Sequence, residues 1–382
     1  MGYSRREFAR LALAGVPATA FWLKSDSMLA AAKPNSKWAG VQVGMNAPYN
    51  FGTGNYTPGD EVLQKCVDLG VSAVELRAQP VELFLGSPAA IAGAANAGRG
   101  RGNRGGGQGA GAAPGAAGEG RRGGGGRAAG APGEAGEPAC VPGAGITAAA
   151  AEPAGGERGR GRGAATPEEQ AARAAAAEET KKWRAGVSLN KVKEFRKQWE
   201  DAGVLIEIVK WDGIFDFSDD EIDYAFQVTK ALGARALSSE ITIGKTKRLG
   251  QFADKHKMQV GYHGHAALSP AVWEATFAEA KYNAANVDLG HFVAGQNISP
   301  VPFLKKYPER ITHVHVKDRK YCNGPNVPFG QGDTPIKEVL QLMRDNKWKF
   351  QATIEFEYPV PAGSDRMAEV AKTLAYCKSC LI

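Results

Sequence analysis

The chain has 382 residues, 43% hydrophobic and 23% charged, with a formal charge of +7 at pH 7, room for one large domain or two to three of about 100–200 residues each. Its positive charge is not spread over a folded face: residues 91–165 hold nine Arg against five Glu, Arg5, Arg6 and Arg10 stand against Glu7 in the first ten residues, and the remainder is close to neutral. That excludes a broad nucleic-acid footprint on the folded part, and five scattered cysteines, Cys66, Cys140, Cys322, Cys377 and Cys380, are too few for a disulfide framework.

The N-terminus reads as an address. Ser4-Arg5-Arg6-Glu7-Phe8 precedes a modestly apolar run that Pro17 interrupts and Lys24 ends. This resembles a twin-arginine export signal, and the run is short for a membrane span of roughly 20 residues. The alternative is an amphipathic N-terminal helix. Residues 1–35 are thus expected to be an export signal and linker, and residues 36–382 a single domain without a transmembrane segment, working in the periplasm or otherwise outside the cytoplasm.

Residues 38–44 predict a first strand, 59–70 an amphipathic helix stopped by Gly70, and 71–76 a second strand, a β-α-β unit of the kind found in parallel sheets. From 91 to 165 the chain is almost entirely Gly, Ala, Arg, Pro and Glu, with Ile91, Val141 and Ile146 as its branched aliphatics and no aromatic residue. Such a segment buries too little apolar surface to offset its ordering entropy, so it is expected to be a surface insert. RNA binding through its arginines is the competing reading, weakened by the missing aromatic side chains that would stack bases.

Residues 166–200 form one long stretch of high helix propensity anchored by Trp183, Phe195 and Trp199. Strands are then predicted at 204–209, 234–239, 259–262, 285–287, 311–314 and 351–354, with helices at 218–232, 244–256, 269–282, 300–306, 335–345 and 365–377. Eight strands with helices between them predict a (β/α)8 barrel. A doubly wound nucleotide-binding sheet is disfavoured because the glycines at 105–107 and 123–126 have no strand or helix to frame them. Cys377-x-x-Cys380 lacks the strand-then-helix setting of a redox pair and reads as two small side chains on the last helix.

Polar residues recur where these strands end: Glu240, His263 and His265, Asp288 with His291, His313 and His315 with Lys317, and Glu355 with Glu357. In this fold catalytic groups converge from the C-terminal ends of different strands. Carboxylates and imidazoles without a thiolate suit a divalent ion, Mn, Zn, Co or Fe. Such an ion could store the negative charge of an enediolate while a second group, an imidazole in excess of the ligand count, moves the proton.

At Gly261-Tyr262-His263-Gly264-His265, Asn286-Val287-Asp288-Leu289-Gly290-His291, His313-Val314-His315-Val316-Lys317-Asp318 and Glu355-Phe356-Glu357 the chain resembles the sugar phosphate isomerase/epimerase superfamily, the xylose-isomerase-like barrels. The resemblance covers roughly 38–90 and 186–382. It implies one divalent ion, Mn preferred, on Asp288, His315 and Glu355. The fourth ligand is open between Glu240, preferred here, and a histidine of the fifth strand. His263, His265, His291, Lys317 and Glu357 are the candidates for proton transfer and substrate contact. The expected substrate is a small non-phosphorylated sugar or keto-sugar, isomerised or epimerised. A lyase or dehydratase acting on 3-keto-sugars and a non-catalytic sugar-binding barrel are the alternatives, and homo-oligomerisation is left open.

Overall fold

The computed structural model describes residues 33–102, 140–145 and 167–382. The twin-arginine segment and the glycine runs at 105–107 and 123–126 lie outside the described residues. The chain enters through a hairpin, β1 (Lys37–Trp38) pairing antiparallel with β2 (Val41–Ala47). Its two-residue turn, Ala39-Gly40, has positive φ at both positions, the geometry that matches strand twist. The first expected strand is therefore two strands, and the second of them enters the barrel.

That barrel is built from β2, β3 (Ala73–Arg77), β4 (Leu205–Lys210), β5 (Ala236–Glu240), β6 (Gln259–His263), β7 (Asn283–Asp288), β8 (Ile311–Val316) and, after the short rim strands β9 (Asp318–Arg319) and β10 (Asn326–Val327), β11 (Gln351–Ile354). β11 pairs in parallel with both β8 and β2, and β2 with β3, so the eight parallel strands close into a ring. Val43, Met45, Leu76, Val209, Leu237, Val260, Val287, Val314 and Ile354 are buried in the core between strands and helices. The alternation of strand and helix is that of a (β/α)8 barrel.

Local chemistry sets the helix limits. Helix Gly59–Leu69 ends at Gly70 with φ 73°, and Asp219–Ala231 starts at a capping box in which Ser218 and Glu221 satisfy each other's end of the first turn. The stretch expected as one helix over 166–200 is two, Pro167–Ala185 and Leu189–Asp201. Gly186 interrupts it, and Ser188 takes the N-cap position of the second. Helix Pro88–Gly102 runs into the segment read as a featureless insert, as its alanines allow.

Residues 140–145 return to the barrel. Cys140 is disulfide-bonded to Cys322 across a sequence separation of 182, and the Asn297 side-chain amide donates to the Val141 carbonyl. Two of the five cysteines are thus paired, a correction that spacing alone could not supply because the partners meet only once the barrel has closed. Cys66, Cys377 and Cys380 are free and buried, the last two on helix Arg366–Leu381. Among the described residues no helix is long and apolar enough to cross a membrane.

Candidate active site

The C-terminal strand ends converge. His263 ends β6, Asp288 ends β7, His315 lies near the end of β8 and Glu355 follows β11. Each offers a ligand atom, all four atoms lie within 4.8 Å of one another, and all four residues are buried. Parallel register brings this about, with Glu240 level with His263, His263 with Asn286, and Asp288 with His315.

Within this cluster the polar atoms divide in two. Asp288 Oδ1 accepts from the backbone N–H of His291 at 2.8 Å, Glu355 Oε1 from the Asn46 amide at 2.8 Å, and His315 Nε2 lies 2.6 Å from Glu75 Oε2. The complementary atoms, Asp288 Oδ2, Glu355 Oε2 and His315 Nδ1, make no hydrogen bond, and neither does His263 Nδ1. What they meet is charge: His315 Nδ1 is 3.2 Å from Glu355 Oε2 and 3.7 Å from Asp288 Oδ2. Buried polar atoms without hydrogen bonds are costly; the two carboxylate oxygens have the Lys317 ammonium beside them, and with the two imidazole nitrogens they make a donor set that fits a divalent ion.

The Lys317 ammonium reaches Asp288 Oδ2 at 3.0 Å, Glu355 Oε2 at 2.7 Å and Glu357 Oε2 at 2.6 Å. Burial alone would lower its pKa, but these carboxylates outweigh burial and hold it well above the ordinary value. Burial opposes the charge on His315 too, yet Glu355 and Glu75 drive its pKa well upward. Burial also raises Glu355 and Asp288, and the cations reverse that: His315 and Lys317 bring Glu355 well down, while Lys317 and His291 lower Asp288. His263, buried beside His315 and Lys210, is pushed well below 6.5 and stays neutral. Burial takes His291 down to about 3 and His313 to about 4.

Glu240, preferred from sequence as the fourth ligand, stands outside the cluster. Its side chain is 46% exposed and pairs with the buried Lys210 at 2.6 Å, and its other oxygen is 3.6 Å from His265 Nε2. Glu240 and His263 are level in register, and it is His263 that lies with Asp288, His315 and Glu355, while Lys210 holds the Glu240 carboxylate. His265, 40% exposed, has its ring centroid 5.1 Å from that of His263 and 4.9 Å from that of His291. His291 lies between two cations, with Nδ1 2.8 Å from Arg319 Nη1 and Nε2 3.0 Å from Lys317 Nζ. A neutral ring has one lone pair, so His291 accepts from only one of these two cations. Glu357 accepts from Tyr49 at 2.9 Å as well as from Lys317.

Several residues of the site went unread in the sequence. Glu75 stands one residue before the end of the second predicted strand, and Asn46, Lys210 and Arg77 also stand near strand ends. Their strands carry other polar residues too, Arg77 beside Glu75, Glu207 with Lys210 and Gln42 with Asn46, and none of these groups lies in the His-containing motifs of the later strands. Arg77 pairs with Asp212 at 2.5 Å.

No family model matches the chain. It is 38% identical over 134 residues, 29% of this chain and 44% of the relative, to an inosose dehydratase of Clostridium botulinum (strain Eklund 17B / Type B). A second inosose dehydratase, from Clostridium botulinum (strain Alaska E43 / Type E3), is 28% identical over the same shares; the chain therefore spans less than half the length of the curated relatives it matches. Among solved structures it is similar to a xylose isomerase domain protein from Planctomyces limnophilus, with 15% identity, a TM-score of 0.42 and coverage of 50% of this chain and 82% of that one. A sugar phosphate isomerase/epimerase from Parabacteroides distasonis ATCC 8503 gives 18% identity, a TM-score of 0.39 and coverage of 50% and 77%. The chain's neighbours among solved structures are thus xylose-isomerase-like barrels of the sugar phosphate isomerase/epimerase kind.

Proposed function

We propose that the chain is a divalent-metal-dependent enzyme that isomerises or epimerises a non-phosphorylated sugar or keto-sugar, with Mn the preferred ion and Zn, Co or Fe able to replace it. One observation carries the reading: Asp288, His315 and Glu355 each have one polar atom pinned by a hydrogen bond and the other turned, with His263, toward a common point. Two carboxylates and two imidazoles without a thiolate suit these ions. When bound, such an ion supplies Lewis acidity that lowers the pKa of a C–H beside a carbonyl.

The side chains around it divide the remaining work. His265 faces solvent and is backed by Glu240, so it takes a proton from the carbon next to the carbonyl. In isomerisation the same ring returns that proton to the former carbonyl carbon while a hydroxyl proton passes between the two oxygens; in epimerisation a second donor reprotonates the original carbon from its opposite face, and neither route consumes an oxidant. Lys317, kept protonated by three carboxylates, places its positive charge beside the negative charge that develops on the substrate, and Glu357 with Tyr49 fixes its position. His291 lies between Arg319 and Lys317.

A neutral substrate suits the charges. Arg77 is paired with Asp212, Lys210 with Glu240, Lys317 with Glu357, and Arg319 lies against His291 and the Gly324 carbonyl. None of these four cations is left over for a phosphate. Dehydration is the second reading, supported by the inosose dehydratase that is 38% identical over 134 residues. It would use the same proton removal, followed by departure of a neighbouring hydroxyl as water. We also propose that the protein works outside the cytoplasm. Arg5-Arg6 ahead of the apolar run supports this, and so does the Cys140–Cys322 disulfide, a bond that persists in oxidising compartments.

The test is to load the purified chain with Mn and incubate it with free ketoses and 3-keto-glucosides under NMR. A new epimer or isomer is expected. An enone with loss of water would favour the dehydratase reading, and no turnover of either class with the ion bound would reject both.

A further inference from the structure

We propose that Glu75 is a positioning residue that decides which nitrogen of His315 is offered to a divalent ion, an inference that rests on the metal-dependent reading above. Glu75 lies on β3, three strands around the ring from β8, and is fully buried. A carboxylate taken out of water is costly unless its oxygens are satisfied. Oε2 is 2.6 Å from His315 Nε2, and Oε1 faces His313 Nε2 at 3.2 Å, a charge contact in which neither atom makes a hydrogen bond. His313 and His315 are two apart on one strand, so they point to the same side of the sheet and one carboxylate spans both.

An ionised carboxylate can only accept, so His315 Nε2 must carry a hydrogen. A neutral imidazole has one such hydrogen, which leaves the His315 Nδ1 lone pair free on the side of Glu355 and Asp288. Asn286 Nδ2 lies 3.1 Å from the same Nε2 and its Oδ1 is unpartnered, so this tautomer requires the amide turned over, with its oxygen toward the N–H. With Nε2 unprotonated the proton would sit on Nδ1 and block the ion's approach. A carboxylate behind a ligating histidine commonly contributes about 10- to 100-fold in metal affinity.

Two measurements test this. Competition of Mn or Co against a chromophoric chelator is expected to give an affinity about 10- to 100-fold weaker in Glu75→Gln than in the parent, with an altered Co absorption spectrum, at metal-free melting temperatures that report whether the fold is kept. Long-range proton–nitrogen NMR of the unmutated, Zn-loaded chain needs no variant, and is expected to show His315 protonated on Nε2 with Nδ1 ligated. Equal affinity in Glu75→Gln, or an Nδ1–H tautomer in the loaded parent, overturns the role of Glu75 while leaving the metal-dependent reading in place. A parent chain that binds no divalent ion overturns both.

Discussion

His263 and Glu240 stand side by side on adjacent strands, and the proposed function gives them different work. Removing a ligand is expected to lower ion content and activity together, so Asp288→Asn, His315→Ala, Glu355→Gln and His263→Ala should all lose bound Mn by elemental analysis. Glu240→Gln should keep its ion and lose rate through His265, and His265→Ala should lose roughly 10²- to 10⁴-fold in kcat at unchanged ion content. Full ion content in His263→Ala together with loss in Glu240→Gln would return the fourth ligand to β5.

Gly290 offers a second test at this scale. A methyl group there would overlap the aliphatic stem of Lys317 and approach Arg319. Gly290→Ala is therefore expected to displace the ammonium from its three carboxylates and cut kcat by at least tenfold, roughly the effect of losing about 1.4 kcal/mol of transition-state stabilisation. Unchanged kinetics would show that Lys317 takes no part in the reaction.

Much of the site was legible because β5 to β8 and β11 each end in an ionisable group within a recognisable motif. Which acid or imidazole reaches the centre was not. Glu240 and His263 differ by a lateral step that depends on barrel curvature, and Glu75 contributes from a strand more than 200 residues away in sequence from His315.

At the scale of elements, strands and helices followed hydrophobic periodicity closely enough that β11 and helix Gly59–Leu69 were read nearly to the residue. Helix Leu289–Gln296 was not foreseen: it starts immediately after β7 with Asp288 as its N-cap, so the expected strand end is also a helix start. The insert is the other departure. Read as a detachable excursion over 91–165, it carries Cys140, which is bonded to the loop bearing Cys322. That loop connects to the site, because the Gly324 carbonyl accepts from Arg319, which reaches His291, and Asn323 donates to the Ala294 carbonyl. Replacing 103–139 and 146–166 with short linkers while keeping 140–145 is expected to leave kcat/KM within a few-fold, since closure entropy grows slowly with loop length. Cys140→Ser with Cys322→Ser is expected to raise KM several-fold at constant ion content. Equal KM values would make the tether irrelevant to substrate binding.

At the scale of the whole molecule the closed barrel carries a buried cluster of opposite charges whose balance depends on pH. Carboxylates raise the His315 pKa above its unfolded value near 6.5. In the metal-free protein its contribution to stability is therefore fully present below about pH 6.5 and is lost as pH rises through the folded pKa. An ion must displace the Nδ1 proton, so apparent Mn affinity should rise by up to about tenfold per pH unit until that folded value is passed. Competition titrations at about pH 6, 7 and 8 measure the slope, and a flat profile would mean that His315 is not a ligand.

One divalent ion is expected among His263, Asp288, His315 and Glu355, and anomalous diffraction from crystals grown with Mn locates it. One anomalous peak per chain is expected at the strand ends, about 2.0–2.3 Å from atoms of these four side chains. No peak there, or a peak bonded to Glu240 with His263 turned away, would contradict this assignment.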